Sequence, residues 1–255
     1  MTPSALDPAA QTYLGIPGFV LAWLIFVLGI GLFAWIIYRR WCMVRAGAPD
    51  KPFSHIAKRI GQLIIYGIFQ RRQPRYLVAG IIHIMIFWGF VILGLHSIDL
   101  VTRGLGLPVL RPLMEGGFGT FYGFLKDVFE LLVLVACIWA ILRRALTRPE
   151  RYEGSHQFEA YLVLGLISFL MVTDMLLEGS ALLYSGTAGN GTAALLPAAH
   201  LSALILQQGS PEALQAIYSW SYWLHILAFF SFLNLLPLSK HFHIITALPN
   251  VFFKK

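Results

Sequence analysis

Apolar runs of about 20 residues recur along this 255-residue chain, and nothing constrains its fold more. A helix of that length, rising about 1.5 Å per residue, spans the hydrocarbon of a bilayer. It also satisfies every backbone N–H and C=O within the segment, which hydrocarbon demands. With 58% hydrophobic and 12% charged residues, the chain reads as an all-α, multi-pass membrane protein. Hydropathy predicts one membrane domain, 1–255, with five helices in a bundle at about 17–38, 77–101, 118–142, 158–177 and 217–238. Residues 1–16 read as a polar, flexible lead-in. They lack a basic n-region and a small-residue cleavage site, so the first run is expected to be an anchor span.

Charge then orients the spans. The segments after spans 1, 3 and 5 carry 16 of the 19 Lys and Arg residues; Arg103, Arg111 and Lys126 are the other three. The positive-inside rule puts those segments in the cytoplasm, with the N-terminus outside and the C-terminus inside. Placement therefore accounts for the net charge of +7, and no nucleic-acid partner is implied. The segment 53–70 mixes apolar and basic residues at helical spacing and reads as an amphipathic helix on the membrane surface, with lipid as its partner. Docking a soluble partner is its alternative role. In the outer connection, 178–216, the stretch AALLPAAHLSALILQQ predicts a short helix against the membrane or the bundle.

The chemistry-bearing residues are histidines at two depths. In span 2, His83 is near the cytoplasmic face and His96 near the outer face; in span 5 and its continuation, His225 is outer and His243 inner. His225 and His243 are 18 residues apart. On one continuous helix that is five turns of about 100° per residue, so both rings leave one face, roughly 27 Å apart. Depth pairs His83 with His243 and His96 with His225. Two stacked bis-histidine sites between facing helices suit two b-type haems. A single zinc site is excluded, because the histidines lie at two depths. In span 2 the fit is looser. Thirteen residues give about 220° of net rotation, so His83 and His96 share a face only if a short 3₁₀ stretch intervenes. Without iron, His96 would be an interfacial histidine hydrogen-bonded near Asp99. His241 points nearly opposite to His225, and His200 is a surface residue or an aid to quinone binding. The two cysteines, Cys42 and Cys137, form no CxxC, so this chain holds no iron–sulfur cluster, and the absence of CxxCH favours haem b over haem c.

The sequence FYGFLKDVFELL puts Lys126 and Asp127 in the first turns of span 3. A lysine close to hydrocarbon must snorkel, pair or serve a polar ligand. Glu130, four residues on, is its local partner. A surface Lys126–Glu130 pair and a quinone site at Lys126 and Glu130 are the two readings.

HIMIFWGF in span 2, WLHILAFFSFLNLLPLSKHFHIITALPNVFF near the C-terminal end and the five spans together resemble the gamma subunit of respiratory nitrate reductase. They are more similar to the membrane domain of heterodisulfide-reductase-like iron–sulfur oxidoreductases, which include electron transfer flavoprotein–menaquinone oxidoreductases. The likeness covers most of the chain from span 2 onward and is most specific at SKHFHI and the following PN. It implies a dihaem cytochrome b of the bacterial cytoplasmic membrane. Paired histidines on the second and fifth spans hold the haems in the gamma-subunit pattern, and His83, His225 and His243 match it. The histidine spacing in span 2, to His96, is longer here. The resemblance also implies a lysine such as Lys126 near an outer quinol site. The quinone would be menaquinone or ubiquinone. The partners would be a cytoplasmic iron–sulfur subunit of the heterodisulfide-reductase type and electron transfer flavoprotein. A cysteine-rich domain often follows the PNVFF segment in these relatives, so the iron–sulfur module is either a separate subunit or part of a longer protein.

The sequence thus reads as a dihaem cytochrome b, the membrane subunit of a quinone-linked oxidoreductase complex, passing electrons between a cytoplasmic iron–sulfur or flavin partner and quinone. Two rivals stand beside it. One is a proton or ion transporter using Lys126, Asp127, Glu130 and Asp174. The other is a cofactor-free anchor for a soluble enzyme, which leaves the histidine pattern unexplained.

Overall fold

A computed structural model describes residues 6–45, 55–107, 109–147, 157–188 and 195–254, which are almost entirely helical. Lys51, Arg148, His156 and the first two residues of the expected surface segment, 53–54, lie outside them. Five long helices make the body: α1 (Gly18–Arg45), α3 (Leu77–Gly104), α5 (Gly116–Leu146), α6 (Gln157–Tyr184) and α8 (Pro211–Leu238). Short helices join or flank them: α2 (Ile56–Gln62), α4 (Arg111–Met114), α7 (Pro197–Leu206) and α9 (His243–Phe253).

Four of the long helices, α1, α3, α6 and α8, are long and apolar enough to cross a membrane. The remaining expected span, the third at 118–142, corresponds to α5. Its 31 residues make it the longest, but Lys126, Asp127 and Glu130 interrupt its apolar run. Its length, about 46 Å at 1.5 Å per residue, exceeds the hydrocarbon thickness.

Neighbours pack in the cyclic order α1, α8, α6, α5, α3, with α3 also touching α8. Contacts set the directions. Tyr222 Oη donates to the Leu100 carbonyl (3.3 Å) and Ser97 meets His225, so α3 and α8 are antiparallel. Asn234 of α8 donates to the Gly29 carbonyl (3.1 Å), while Tyr222 lies by Ala22, so α1 and α8 run parallel. Helix α8 is the centre. Within the most apolar 18-residue window, 61% of α8 is buried against 11% of α1. The outward faces of α1, including Trp23, Leu24, Val27, Leu28 and Trp35, are exposed on the protein alone, as suits residues solvated by lipid tails.

Small residues let the helices close. Gly104 on α3 faces Tyr222, and Gly89 faces Val133 of α5. Gly179 on α6 faces Ser202 and the Ala199 carbonyl of α7. Ser202 donates back to the Met175 carbonyl, so α7 rests on the bundle.

Three sequence expectations are corrected. Residues 6–17 are not a loose lead-in. Leu6 is fully buried, and Thr12–Tyr13 and Ile16–Pro17 pair as a two-residue antiparallel hairpin. Tyr13 packs edge-on against Trp223 at 5.4 Å, which docks that hairpin on α8. Second, α3 runs as unbroken α-helix from Leu77 to Gly104, so no 3₁₀ stretch realigns His83 with His96. Third, His225 and His243 do not share a helix. Helix α8 ends at Leu238, Ser239 is extended (φ −106°, ψ 179°), a 3₁₀ turn covers Lys240–Phe242, and α9 begins at His243. The Ser239 side chain accepts from the His241 N–H (3.1 Å), which stabilises the break.

The segment after α1 also differs from a lone surface helix. Helix α2 passes into a π-helical stretch, Leu63–Ile68, and both pack on α9. Arg59 donates to the Phe252 (2.8 Å) and Lys254 (3.4 Å) carbonyls, closing the C-terminal end of α9.

Replacing Gly179 by Ala should destabilise the protein by about 1–3 kcal/mol, the usual cost of overpacking. The added Cβ would collide with Ser202 Oγ. A Gly31→Ala control, where nothing lies within 4 Å, should be silent. Thermal unfolding in detergent measures both, and equal midpoints would refute tight α6–α7 packing.

Candidate functional site

The bundle carries polar side chains at two levels. At one end, the break at Ser239 turns α9 so that His243 meets His83 of α3. The two rings are stacked with centroids 6.4 Å apart and 30° between planes. Each imidazole has one nitrogen engaged. His83 Nδ1 lies 3.3 Å from Gln70 Oε1, and His243 Nδ1 lies 3.2 Å from the Lys240 carbonyl oxygen. Both oxygens can only accept, so both Nδ1 atoms carry the proton, and both Nε2 atoms keep a lone pair. That tautomer is the usual one for a metal-ligating histidine whose other nitrogen is held by an oxygen. The two available Nε2 lone pairs and the nearness of the rings suit a metal or haem iron, which His83 and His243 would hold. His241 also comes to this end, its ring 6.0 Å from that of His243, rather than pointing away as a continuous helix would require. Burial first, and then neighbouring His243, push the His241 pKa below the ordinary histidine value.

At the other level the expected pair is not brought ring to ring. His225, buried on α8, is held from both sides. Its Nδ1 lies 3.2 Å from Thr173 Oγ1 of α6, and its Nε2 lies 3.2 Å from Ser97 Oγ of α3. The Thr173 hydroxyl already donates to the Phe169 and Leu170 carbonyls, so it accepts from His225 Nδ1–H. His225 thus has the same tautomer as the first pair, with Ser97 donating to Nε2. His96 instead turns to Asp174, with its Nε2 3.0 Å from Oδ1. It is buried and does not hydrogen-bond near Asp99, which pairs with Arg103 at 2.9 Å. To hold a metal through Nε2, His225 would have to give up the Ser97 hydroxyl. His96 would have to leave a carboxylate.

Asp174 belongs to a buried ion cluster. Lys126 Nζ lies 2.8 Å from Glu178, 3.3 Å from Glu130, 3.3 Å from Asp174 and 4.0 Å from Asp127. The i, i+4 spacing puts Lys126 and Glu130 on one face of α5, and Asp174 and Glu178 on the facing side of α6. Lys126 is only 1% exposed, so the expected surface pair is a buried network. Its three N–H donors are matched by the three nearest carboxylates, which leaves none for a further ligand. Asp127 turns the other way. Its carboxylate accepts from the Ala198 and Ala199 N–H groups at the start of α7, where the helix dipole favours negative charge. His96, Asp174 and Glu178 could offer three atoms to a cation within 4.8 Å of one another. Lys126 Nζ already stands against both of those carboxylates, so the position is taken by an ammonium. Glu178, with a side chain 22% exposed, is the cluster's outlet. Among the described residues His200 Nδ1, on α7, is buried without a hydrogen bond.

Sequence reasoning missed Gln70, Ser97, Thr173 and Glu178. Only Glu178 had a readable signal, its spacing of four from Asp174. The others are polar residues whose roles depend on which helices meet.

Fold and site together define a helical membrane protein with a histidine pair at one end and a buried ion network at the other. Along most of its length the chain is similar to two larger oxidoreductases. It is 29% identical over 224 residues to the probable iron-sulfur-binding oxidoreductase FadF of Bacillus subtilis (strain 168), covering 88% of this chain and 31% of that protein. It is 26% identical over 243 residues to the EtfAB:quinone oxidoreductase of Syntrophomonas wolfei, covering 91% of this chain and 33% of that one. The chain thus spans about a third of the length of these relatives. The similarity falls on the iron–sulfur oxidoreductase side of the resemblance read from the sequence. No protein-family model matches the chain, and no solved structure does.

Replacing Lys126 by Met should destabilise the protein by roughly 3–5 kcal/mol, because the carboxylates lose their buried counter-charge. Adding Glu130→Gln to Lys126→Met should recover part of that loss. Thermal unfolding of the single and double variants tests it; a silent Lys126→Met would mean that the cluster is solvated.

Proposed function

We propose that this chain is a dihaem cytochrome b subunit that passes electrons between a cytoplasmic iron–sulfur or flavin partner and the membrane quinone pool. The observation that carries this reading is the His83–His243 pair. Its rings are stacked at 6.4 Å with both Nδ1 protons held by oxygen acceptors. His83 and His243 would hold the inner group through Nε2, and His225 with His96 the outer one. Bound haem b would supply a one-electron carrier at each level. The relatives support an electron-transfer role by name: one is an iron-sulfur-binding oxidoreductase and the other an EtfAB:quinone oxidoreductase.

The chain's own residues have distinct tasks in this reading. The Lys240 carbonyl orients the His243 imidazole, and Thr173 orients His225. All five long helices cross the membrane, with the N-terminus outside and the basic segments in the cytoplasm. The π-helical segment and α9 then form a cytoplasmic floor beneath the inner pair, where an iron–sulfur partner, electron transfer flavoprotein or both would dock. At the outer level Lys126 and Glu130 form the inner wall of a quinone site. Glu178 is its exposed edge and exchanges protons with the quinone oxygens, while Lys126 steadies the charge behind it. Menaquinone and ubiquinone both suit this chemistry.

The ion cluster also favours a second reading, a proton or ion transporter, since buried ionisable groups commonly mark such paths. Spectra of the purified protein, oxidised and dithionite-reduced, separate the two. A pyridine haemochrome assay should give about two haems per chain. Folded protein without haem would overturn the proposal and favour transport. His83→Ala and His243→Ala should remove the same haem, and His225→Ala the other; loss of one component in both His83→Ala and His225→Ala would refute the pairing. His96→Ala with both haems at full occupancy would remove His96 from the ligands. With both haems intact, Glu178→Gln should slow quinone-dependent haem oxidation or reduction at least tenfold, as loss of a general acid–base does. Unchanged kinetics would move the quinone site elsewhere.

A further inference from the structure

Gln70 occupies an unusual place in the fold. It is only 6% exposed, although it lies in a connecting segment between the π-helical stretch and α3. Its backbone is left-handed at φ +48°, a conformation a glutamine rarely adopts. The backbone around it is pinned on three sides. Phe69 N–H donates to the Ile64 carbonyl (2.9 Å), Arg71 N–H to the Ile65 carbonyl (3.2 Å), and Gln73 N–H to the Gln70 carbonyl (2.9 Å). The wide π-helical turn and the reversal after it thus hold one residue inward. The side chain so held reaches His83, with Oε1 3.3 Å from Nδ1. Strained backbone that persists because its surroundings fix it points to a positional task.

We infer that Gln70 is a positioning residue for His83: it fixes the tautomer that presents Nε2 and sets the basicity of that imidazole toward bound iron. This rests on the proposed haem site. An acceptor on Nδ1–H pushes electron density onto the ring, which stabilises ferric over ferrous iron. The amide oxygen is a moderate acceptor. A carboxylate at the same place would be stronger, and an apolar side chain of similar size would supply none. Losing a partner of this kind typically changes metal affinity tenfold to a hundredfold. If the change falls on one oxidation state, each tenfold step is about 59 mV in a one-electron potential.

The test uses the full-length protein in membranes and in detergent, with Gln70→Met and Gln70→Glu beside the parent. Haem per chain, the midpoint potential of each haem and the low-spin ferric EPR signal are the readouts. Gln70→Met should keep the His225-side component unchanged and raise the potential of the other by at least one tenfold step. Gln70→Glu should lower that same potential and shift the EPR signal in the opposite sense from Gln70→Met. Loss of the inner haem in Gln70→Met with retention in Gln70→Glu would also support the assignment, because only the acceptor differs in kind. Unchanged potentials and spectra in both variants would overturn it while leaving the haem proposal standing. Loss of the inner haem in both would overturn it as well, reducing Gln70 to a packing residue. A parent protein without haem would instead sink the underlying proposal, and with it this one.

Discussion

Lys126 is the group on which the packing of this bundle turns. An ammonium with 1% exposure persists in an apolar bundle only if several acceptors surround it, and here they come from two helices. Glu130 is on its own helix, while Asp174 and Glu178 are on α6, so the charge ties α5 to α6. Asp174 in turn takes His96 of α3, and Asp127 takes the first N–H groups of α7. Four helices are thereby registered by one polar network. Such a network adds less stability than its distances suggest, since taking each charge from water offsets much of the Coulomb gain. What it does impose is a register, because an alternative slide of α5 against α6 would strand an ion in hydrocarbon.

The same network explains why the two levels of histidine differ. At the Ser239 end the imidazoles are held by an amide and a carbonyl, neutral acceptors that leave Nε2 available. At the Lys126 end His96 lies beside carboxylates, and a carboxylate competes for its nitrogen more strongly than any neutral group. His225 instead has both ring nitrogens on neutral hydroxyls, those of Thr173 and Ser97.

Much of this was legible in the sequence. Hydropathy located the long helices to within a few residues at most ends, since segment length and composition are local properties. The short helix in the long connection between α6 and α8 was also readable, from its apolar run. The pairing of His83 with His243 followed from depth alone, and the structure stacks the two rings. The argument that His225 and His243 leave one helix face did not hold. A repeat of 18 residues presupposes one continuous helix, and Ser239 ends it. Helix periodicity likewise could not show that Lys126 faces α6, because Asp174 is 48 residues away and the facing of two helices is a tertiary fact. The N-terminal segment was misread for a related reason: Leu6 and Tyr13 matter only because the bundle offers surfaces to receive them.

The break at Ser239 has a further consequence for how the molecule is made. His83 and His243 are 160 residues apart in the chain (83 to 243), and the second is on a short helix beyond the last long one. Closing so long a loop is unfavourable in entropy until the intervening helices have packed. Synthesis is also vectorial, so the early histidine emerges well before its partner. The ring pair therefore closes only after α5, α6 and α8 are in place and α9 has settled against α2 under Arg59. A ligand that needs both rings therefore finds its complete site only in the packed bundle.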